Sequence, residues 1–136
     1  GLHINLSVYD ETSNLFADQK SECMAAFTAG ILRRIREISV FLNPMACSYQ
    51  RLGHFEAPKY ISWSHQNRSQ LIRIPAAQGE YRRIEVRSAD PMCNPYLALS
   101  LLLSAGLEGI HDQLKLPAAV NENLYQRDHD ELEKLP

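Results

Sequence analysis

Arg83, Glu85 and Arg87 stand at alternate positions in Arg82-Arg83-Ile84-Glu85-Val86-Arg87, with Ile84 and Val86 between them. That alternation reads as a β-strand with the three charged groups on one face and the aliphatic pair on the other. A carboxylate flanked by two guanidiniums can hold a divalent cation at the acid and anions at the arginines. Chemistry that brings phosphates, carboxylates and a metal together needs that combination. Two more segments repeat the pattern. In Gly1-Leu2-His3-Ile4-Asn5-Leu6-Ser7-Val8-Tyr9, His3, Asn5 and Ser7 share a face opposite Leu2, Ile4, Leu6 and Val8; in Gln70 to Ile74, Arg73 lies opposite Ile72 and Ile74. If the aliphatic faces meet helices, the polar faces line one concave surface, with His3 and Glu85 as a metal-ligand pair among arginines. A solvated sheet face with cross-strand ion pairs, each contributing little, reads equally well from the pattern.

Arg68 and Arg73 are five residues apart, and two neighbouring guanidiniums repel unless an anion sits between them, which suggests a phosphate clamp. Arg68 alone reads as a solvated loop residue. Arg51 and Glu56 fall in a predicted loop, where function often resides, though ordinary surface charge is the simpler reading of the pair. His54, His65, His111 and His129 have no partner at metal-ligand spacing and read as surface residues. Asp128-His129-Asp130-Glu131 reads as an acidic helix start rather than a metal cluster. Arg33, Arg34 and Arg36 read as a solvated helix face, and Trp63 as core.

The elements that must position these groups follow from periodicity. Met24, Phe27, Ile31, Ile35, Ile38 and Leu42 recur at helical spacing, which predicts an amphipathic helix from Ser21 to Asn43, ended by Asn43-Pro44. Leu15-Phe16 is a candidate return strand, 46–58 a surface loop, and 60–64 a strand with Ile61 and Trp63 inward. Asn94 is a good N-cap and Pro95 suits a first helical turn, so a second helix runs to about Ile110; it is apolar nearly all round and should be buried between layers or at a subunit contact. Without βαβ alternation the class is α+β, a mostly antiparallel sheet packed by two long helices.

Composition bounds the rest. The 136 residues suffice for one domain with a real core. A net charge of −2 gives no global pointer to nucleic acid or a membrane surface. Arginine outnumbers lysine ten to four, and six of the ten lie between Arg51 and Arg87, which favours planar, bidentate anion recognition. Three widely spaced cysteines without a C-x-x-C fit a reduced, cytoplasmic setting.

The order of the motifs is itself informative. Asn67-Arg68-Ser69-Gln70-Leu71-Ile72-Arg73-Ile74-Pro75, then Arg83-Ile84-Glu85-Val86-Arg87, Asp90-Pro91 and Asn94-Pro95-Tyr96-Leu97-Ala98 resemble the glutamine synthetase family, most closely its bacterial type I form. The Gly1 to Ser7 strand, Asn43-Pro44, Ser48 to Leu52 and Phe55 to Pro58 fit the same pattern, in order, to about Tyr125. The resemblance implies that His3 and Glu85 ligate a divalent metal, Mg²⁺ or Mn²⁺. It makes Ser7 and Arg83 nucleotide contacts, and Arg68 and Arg73 the holders of the transferring phosphoryl group of ATP. Arg51 and Arg87, with Gly1, face the glutamate substrate, and Glu56 is a flap carboxylate that helps deprotonate bound ammonium. The implied reaction is a two-step ligation of ammonia to glutamate through γ-glutamyl phosphate.

The resemblance also implies that residues 1–136 are part of a catalytic domain, inactive alone, with a β-rich N-terminal domain, upstream metal-ligand strands and a C-terminal helical region outside it. The intact protein is then expected to be a homo-oligomer, a double hexameric ring, with no nucleic-acid or membrane partner. Two departures stand out. The Arg51 to Glu56 loop is one residue shorter than the usual pattern, which puts the reach of Glu56 in doubt. The residues after Asn123-Leu124-Tyr125 differ from the regulated pattern, so Tyr125 is expected to be unmodified. A related γ-glutamyl-amine or polyamine ligase and a non-catalytic regulatory homologue remain as alternatives.

Overall fold

A computed structural model describes residues 1–18, 21–126 and 128–136. Four strands, β1 (Leu2–Leu6), β2 (Trp63–Ser64), β3 (Ile72–Arg73) and β4 (Ile84–Ala89), form one sheet in the order β1-β4-β3-β2. The β1/β4 and β3/β4 pairs are antiparallel and β2/β3 is parallel, so the sheet is mixed but mostly antiparallel, as expected of this α+β chain. Two long helices, α1 (Glu22–Leu42) and α3 (Pro95–His111), and one short helix, α2 (Ala46–Gln50), complete the regular elements.

Register explains how the faces sort. Ile4 pairs with Val86 and Val86 with Ile72, while Asn5 pairs with Glu85 and Glu85 with Arg73. Side chains in register share a face. One row is therefore aliphatic and the next is polar. The aliphatic row turns to α1, whose Phe27, Ile31 and Ile35 are fully buried with Ile72, Ile84 and Val86 in a single core. Asn94 caps α3 by accepting from Tyr96 and Leu97, as its sequence position predicted, and Ser21, expected as the first residue of α1, is instead its cap and accepts from the Met24 N–H.

Within the chain, α3 is not buried between layers, the first of the two placements expected for it. The middle layer is α1, packed on the sheet through β4 and on α3 by its other side. In α3 only Ala98, Leu102, Ala105, Gly106 and Gly109 are buried, while Leu99, Leu103 and Leu107 face outward. The reason lies in the small residues: a side chain at Gly30 would collide with the Ala105 carbonyl oxygen, and one at Gly109 with the Ala26 carbonyl oxygen. Glycine on both helices lets the backbones touch, so the α3 stripe that packs is its small-residue stripe. Arg33 and Arg34 stay more than a third exposed, on a face that also carries ion pairs: both reach across to Glu108 at 2.6 to 3.0 Å, and Arg33 also to Asp112 at 2.7 Å.

Five local expectations are corrected. Leu15-Phe16 forms no strand; a single bridge joins Tyr9 and Asn14, and Phe16 is simply core. The 46–58 segment is not all loop, because Ala46–Gln50 is helical, with the Ser48 hydroxyl accepting from the Met45 N–H. The 60–64 and 70–74 strands shrink to two residues each, and Leu71 is as buried as Ile72, since the sheet is covered there on both faces. No helix begins near His129 among the described residues. Instead the tail returns along the 59–63 segment, where Ile61 donates to the Glu133 carbonyl and Leu135 to the Lys59 carbonyl at 2.8 Å each. Backbone groups beside a short edge strand need partners, and the tail supplies them. His129 is accordingly buried, edge-on to Tyr60, rather than on the surface. The Arg127 part of the Gln126-Arg127-Asp128 departure lies outside the described residues. Among the described residues no helix is long and apolar enough to cross a membrane.

Candidate functional site

Glu85 is the centre of the polar face. Its carboxylate accepts from Arg73 Nε at 2.6 Å and Arg87 Nη1 at 3.1 Å on one oxygen, and faces His3 Nδ1 at 3.2 Å with the other. The register slips between Leu2 and Ile4 against β4, so that β4 carries an extra residue beside His3. A bulge of this kind re-aims side chains near a site. Burial pushes the Glu85 carboxyl up, but hydrogen bonds from Arg73 and Arg87 and their charges outweigh it and hold it below the usual range. Burial and then the Arg87 charge push the His3 imidazole below its ordinary value, against the opposing pull of Glu85. The pair therefore presents an ionised carboxylate and a neutral imidazole.

Arg87 links this group to the flap. Its side chain is 2% exposed; besides Glu85 it donates through Nε to the Arg68 carbonyl at 3.2 Å and faces the Glu56 carboxylate at 3.8 Å. Glu56 in turn faces Arg68 at 3.7 Å. Arg68, Glu56, Arg87, Glu85 and Arg73 thus form an alternating chain of charges, with His3 at its side. Phe55 and Glu56 both have positive φ, 49° and 66°, and the Phe55 side chain is 98% exposed. Two successive non-glycine residues in the left-handed region store backbone strain of a kind that clusters in moving segments of sites. Despite its shorter loop, Glu56 reaches the site.

Arg51 stands behind them. Its Nη2 donates to Asn43 Oδ1 at 2.8 Å and to the Ser88 carbonyl, and its Nε lies 3.6 Å from Asp90. Its Nε and Nη1 are buried without a hydrogen-bond partner, and Nη1 lies against Gly1, where a Cβ would be only 3.2 Å away. Gly1, His3, Arg51, Glu56 and Arg87 together line a cavity of about 340 Å³.

Seven predicted site residues, His3, Arg51, Glu56, Arg68, Arg73, Glu85 and Arg87, are brought together, with Gly1 beside Arg51. Arg68 and Arg73 do not face each other directly; the acid chain lies between them. Arg83 and Ser7 lie further along the same face. Arg83 donates to Asn5 Oδ1 at 3.1 Å, and the Ser7 hydroxyl donates to the Arg82 carbonyl at 3.1 Å. Sequence reasoning missed the residues that hold Arg51. Asn43, fully buried, appeared as a helix end and, like Asp90, within a family motif, but neither was given a role at the site. It also missed that Tyr125 places its hydroxyl 3.4 Å from the Arg68 carbonyl.

The donor set fits a divalent cation at two positions. His3 Nδ1 and Glu85 Oε1 are 3.2 Å apart, and adjacent ligands of an octahedral ion bound at about 2.1 Å lie about 3.0 Å apart. Among the described residues no third His, Cys, Asp or Glu joins them.

A His–carboxylate pair, an arginine-rich wall and the Glu56 carboxylate on one side of the sheet make a candidate site for anions. The chain belongs to the glutamine synthetase family: the family model for the glutamine synthetase catalytic domain matches residues 1–136. It is 45% identical to glutamine synthetase of Staphylococcus aureus strain MW2 over 98% of this chain and 31% of that protein, and 44% identical to that of Staphylococcus epidermidis over the same shares. Among solved structures it resembles a GmaS/ADP complex, with a TM-score of 0.88 and 32% identity over 98% of this chain and 33% of the other. The chain spans about a third of the length of these relatives.

Proposed function

We propose that the protein containing this chain ligates ammonia to glutamate at the expense of ATP, through γ-glutamyl phosphate. The carrying observation is the Glu85 cluster, in which an ionised carboxylate and a neutral histidine converge at 3.2 Å among buried arginines. The family relationship supports the substrates. His3 and Glu85 would hold Mg²⁺ or Mn²⁺ together with ligands outside this chain; when bound, the ion neutralises charge on the nucleotide phosphates.

The residues divide the remaining work. Arg51, with two unpaired buried donors beside Gly1, binds a carboxylate of glutamate. Arg68 and Arg73 flank the acid chain and neutralise the phosphoryl group as it passes to the γ-carboxylate, with Ser7 and Arg83 on the nucleotide side. Such transfer is mostly positioning and charge neutralisation. Arg87, locked by Glu85 and the Arg68 carbonyl, stabilises the acyl phosphate. Glu56 closes over it, keeps water out and takes a proton from ammonium before ammonia displaces phosphate.

A second reading keeps the phosphate chemistry and changes the acceptor to another amine; the similarity to a structure named GmaS favours keeping it in view. The test is ATP-dependent phosphate release by the intact, metal-loaded enzyme with glutamate and either ammonia or small primary amines. Ammonia as the preferred acceptor supports the first reading, an amine supports the second, and release with neither refutes both.

A further inference from the structure

The alternation that puts Arg83 on the active face puts Arg82 on the opposite one, with Ile84 and Val86. Arg82 is only 7% exposed, and its Nε is buried without a hydrogen-bond partner. The contact made by its guanidinium is Nη2 to the Met24 sulfur at 3.8 Å, and no carboxylate pairs with it among the described residues. Glu80, two residues away, directs its carboxylate to the Asn14 N–H at 3.1 Å, and Glu85 lies on the other face of β4. The position is not a loose one. The Arg82 carbonyl accepts from Asn14 Nδ2 at 2.8 Å and from Ser7, and its N–H donates to the Gly79 carbonyl at 3.1 Å. A buried guanidinium without a counter-anion costs several kcal/mol.

Arg82 also lines a cavity of about 420 Å³, separate from the Glu85 site, whose polar walls are His65, Gln66 and Gln78 and whose apolar floor is Ile74 and Pro75. That volume is in the range of small-molecule sites. We propose that this cavity binds a small carboxylate anion on Arg82. One guanidinium with neutral amides around it matches a monoanionic carboxylate better than a phosphate dianion, and its fork suits the two oxygens. The amides of Gln66 and Gln78 supply further donors. The proposal does not rest on the ligase reading, because its test reads stability rather than turnover.

The test is the melting temperature of the intact protein in sodium acetate against sodium chloride of equal ionic strength, with sodium phosphate as a third arm. Acetate is expected to raise Tm by roughly 2 °C or more over chloride, and phosphate by less. Arg82→Met removes the acetate increment without lowering Tm in chloride, because the unpaired charge goes with it. Gln66→Ala and Gln78→Ala, at exposed wall positions, keep the fold and reduce the increment. Four results overturn the proposal: no acetate increment in the wild type, an increment that survives Arg82→Met, an increment undiminished in both glutamine variants, or an Asp or Glu from elsewhere in the intact protein seated on Arg82 in its crystal structure. A phosphate effect larger than that of acetate overturns the carboxylate assignment.

Discussion

At the scale of single residues, Glu85 holds the site together through charge. It satisfies Arg73 and the buried Arg87 at once, so removing it strands a guanidinium that is 2% exposed. Glu85→Ala should lower unfolding free energy by roughly 3–5 kcal/mol, while Glu85→Gln, which retains an acceptor, should cost less. Urea unfolding of the metal-free protein reads both. Arg87→Lys keeps the charge but loses the fork that reaches Glu85 and the Arg68 carbonyl together. A fall in kcat of roughly 10²–10³ is expected if Arg87 stabilises charge in the transition state, measured as glutamate-dependent phosphate release. Alternation alone revealed the shared face of His3, Arg73, Glu85 and Arg87. It did not reveal Arg82 as an unpaired charge, because Arg82 belongs to the aliphatic face, and periodicity says nothing about what covers that face. Asp90 stayed hidden because its contact with Arg51 joins segments far apart in sequence, and Asn43 because the short helix α2, which turns Arg51 back towards it, was not recognised.

At the scale of elements, the α1/α3 contact is made by glycine backbones and fastened by ion pairs. Gly30→Ala and Gly109→Ala should each destabilise by about 1–3 kcal/mol despite the better helix propensity of alanine, since each methyl meets a carbonyl oxygen of the facing helix. Thermal or urea midpoints check this. The hydrogen bond from Arg34 holds Glu108 below the ordinary carboxyl range, and that from Arg33 does the same for Asp112. A depressed carboxyl stabilises fully above its ordinary value and loses that contribution as pH falls through its native one. This part of the stability should therefore be present at neutral pH, begin to fall as pH drops below the ordinary values of 4.5 and 3.8, and be gone only below the depressed native ones, and high salt should remove it at pH 7. Midpoints of wild type and Glu108→Gln should converge under both conditions. Both long helices and the Asn94 cap of α3 were readable from sequence. Which helix lies in the middle was not, because an all-apolar α3 resembles a buried helix until the glycine stripe is seen against α1. Short elements such as α2 and the two-residue strands carry too little periodicity to be bounded, and the tail pairing beside β2 arises only after the chain has folded.

At the scale of the whole molecule, one face of the mixed sheet carries the charged cluster and its reverse carries the core, with α1 and α3 stacked behind. The site gathers residues from Gly1 to Arg87, so its charge chain forms only when β1, β3, β4 and the flap are in place together. The pair His3 and Glu85 is joined by no third His, Cys, Asp or Glu among the described residues, so a divalent cation held there would need ligands from outside them. The central claim is that the γ-carboxylate of glutamate attacks ATP before the amine arrives. The most direct measurement follows oxygen-18 from the γ-carboxylate of labelled glutamate in the intact enzyme with ATP, metal and ammonia. The account predicts one labelled oxygen in each phosphate released, dependent on ATP. Phosphate that carries no label during glutamine formation would contradict it.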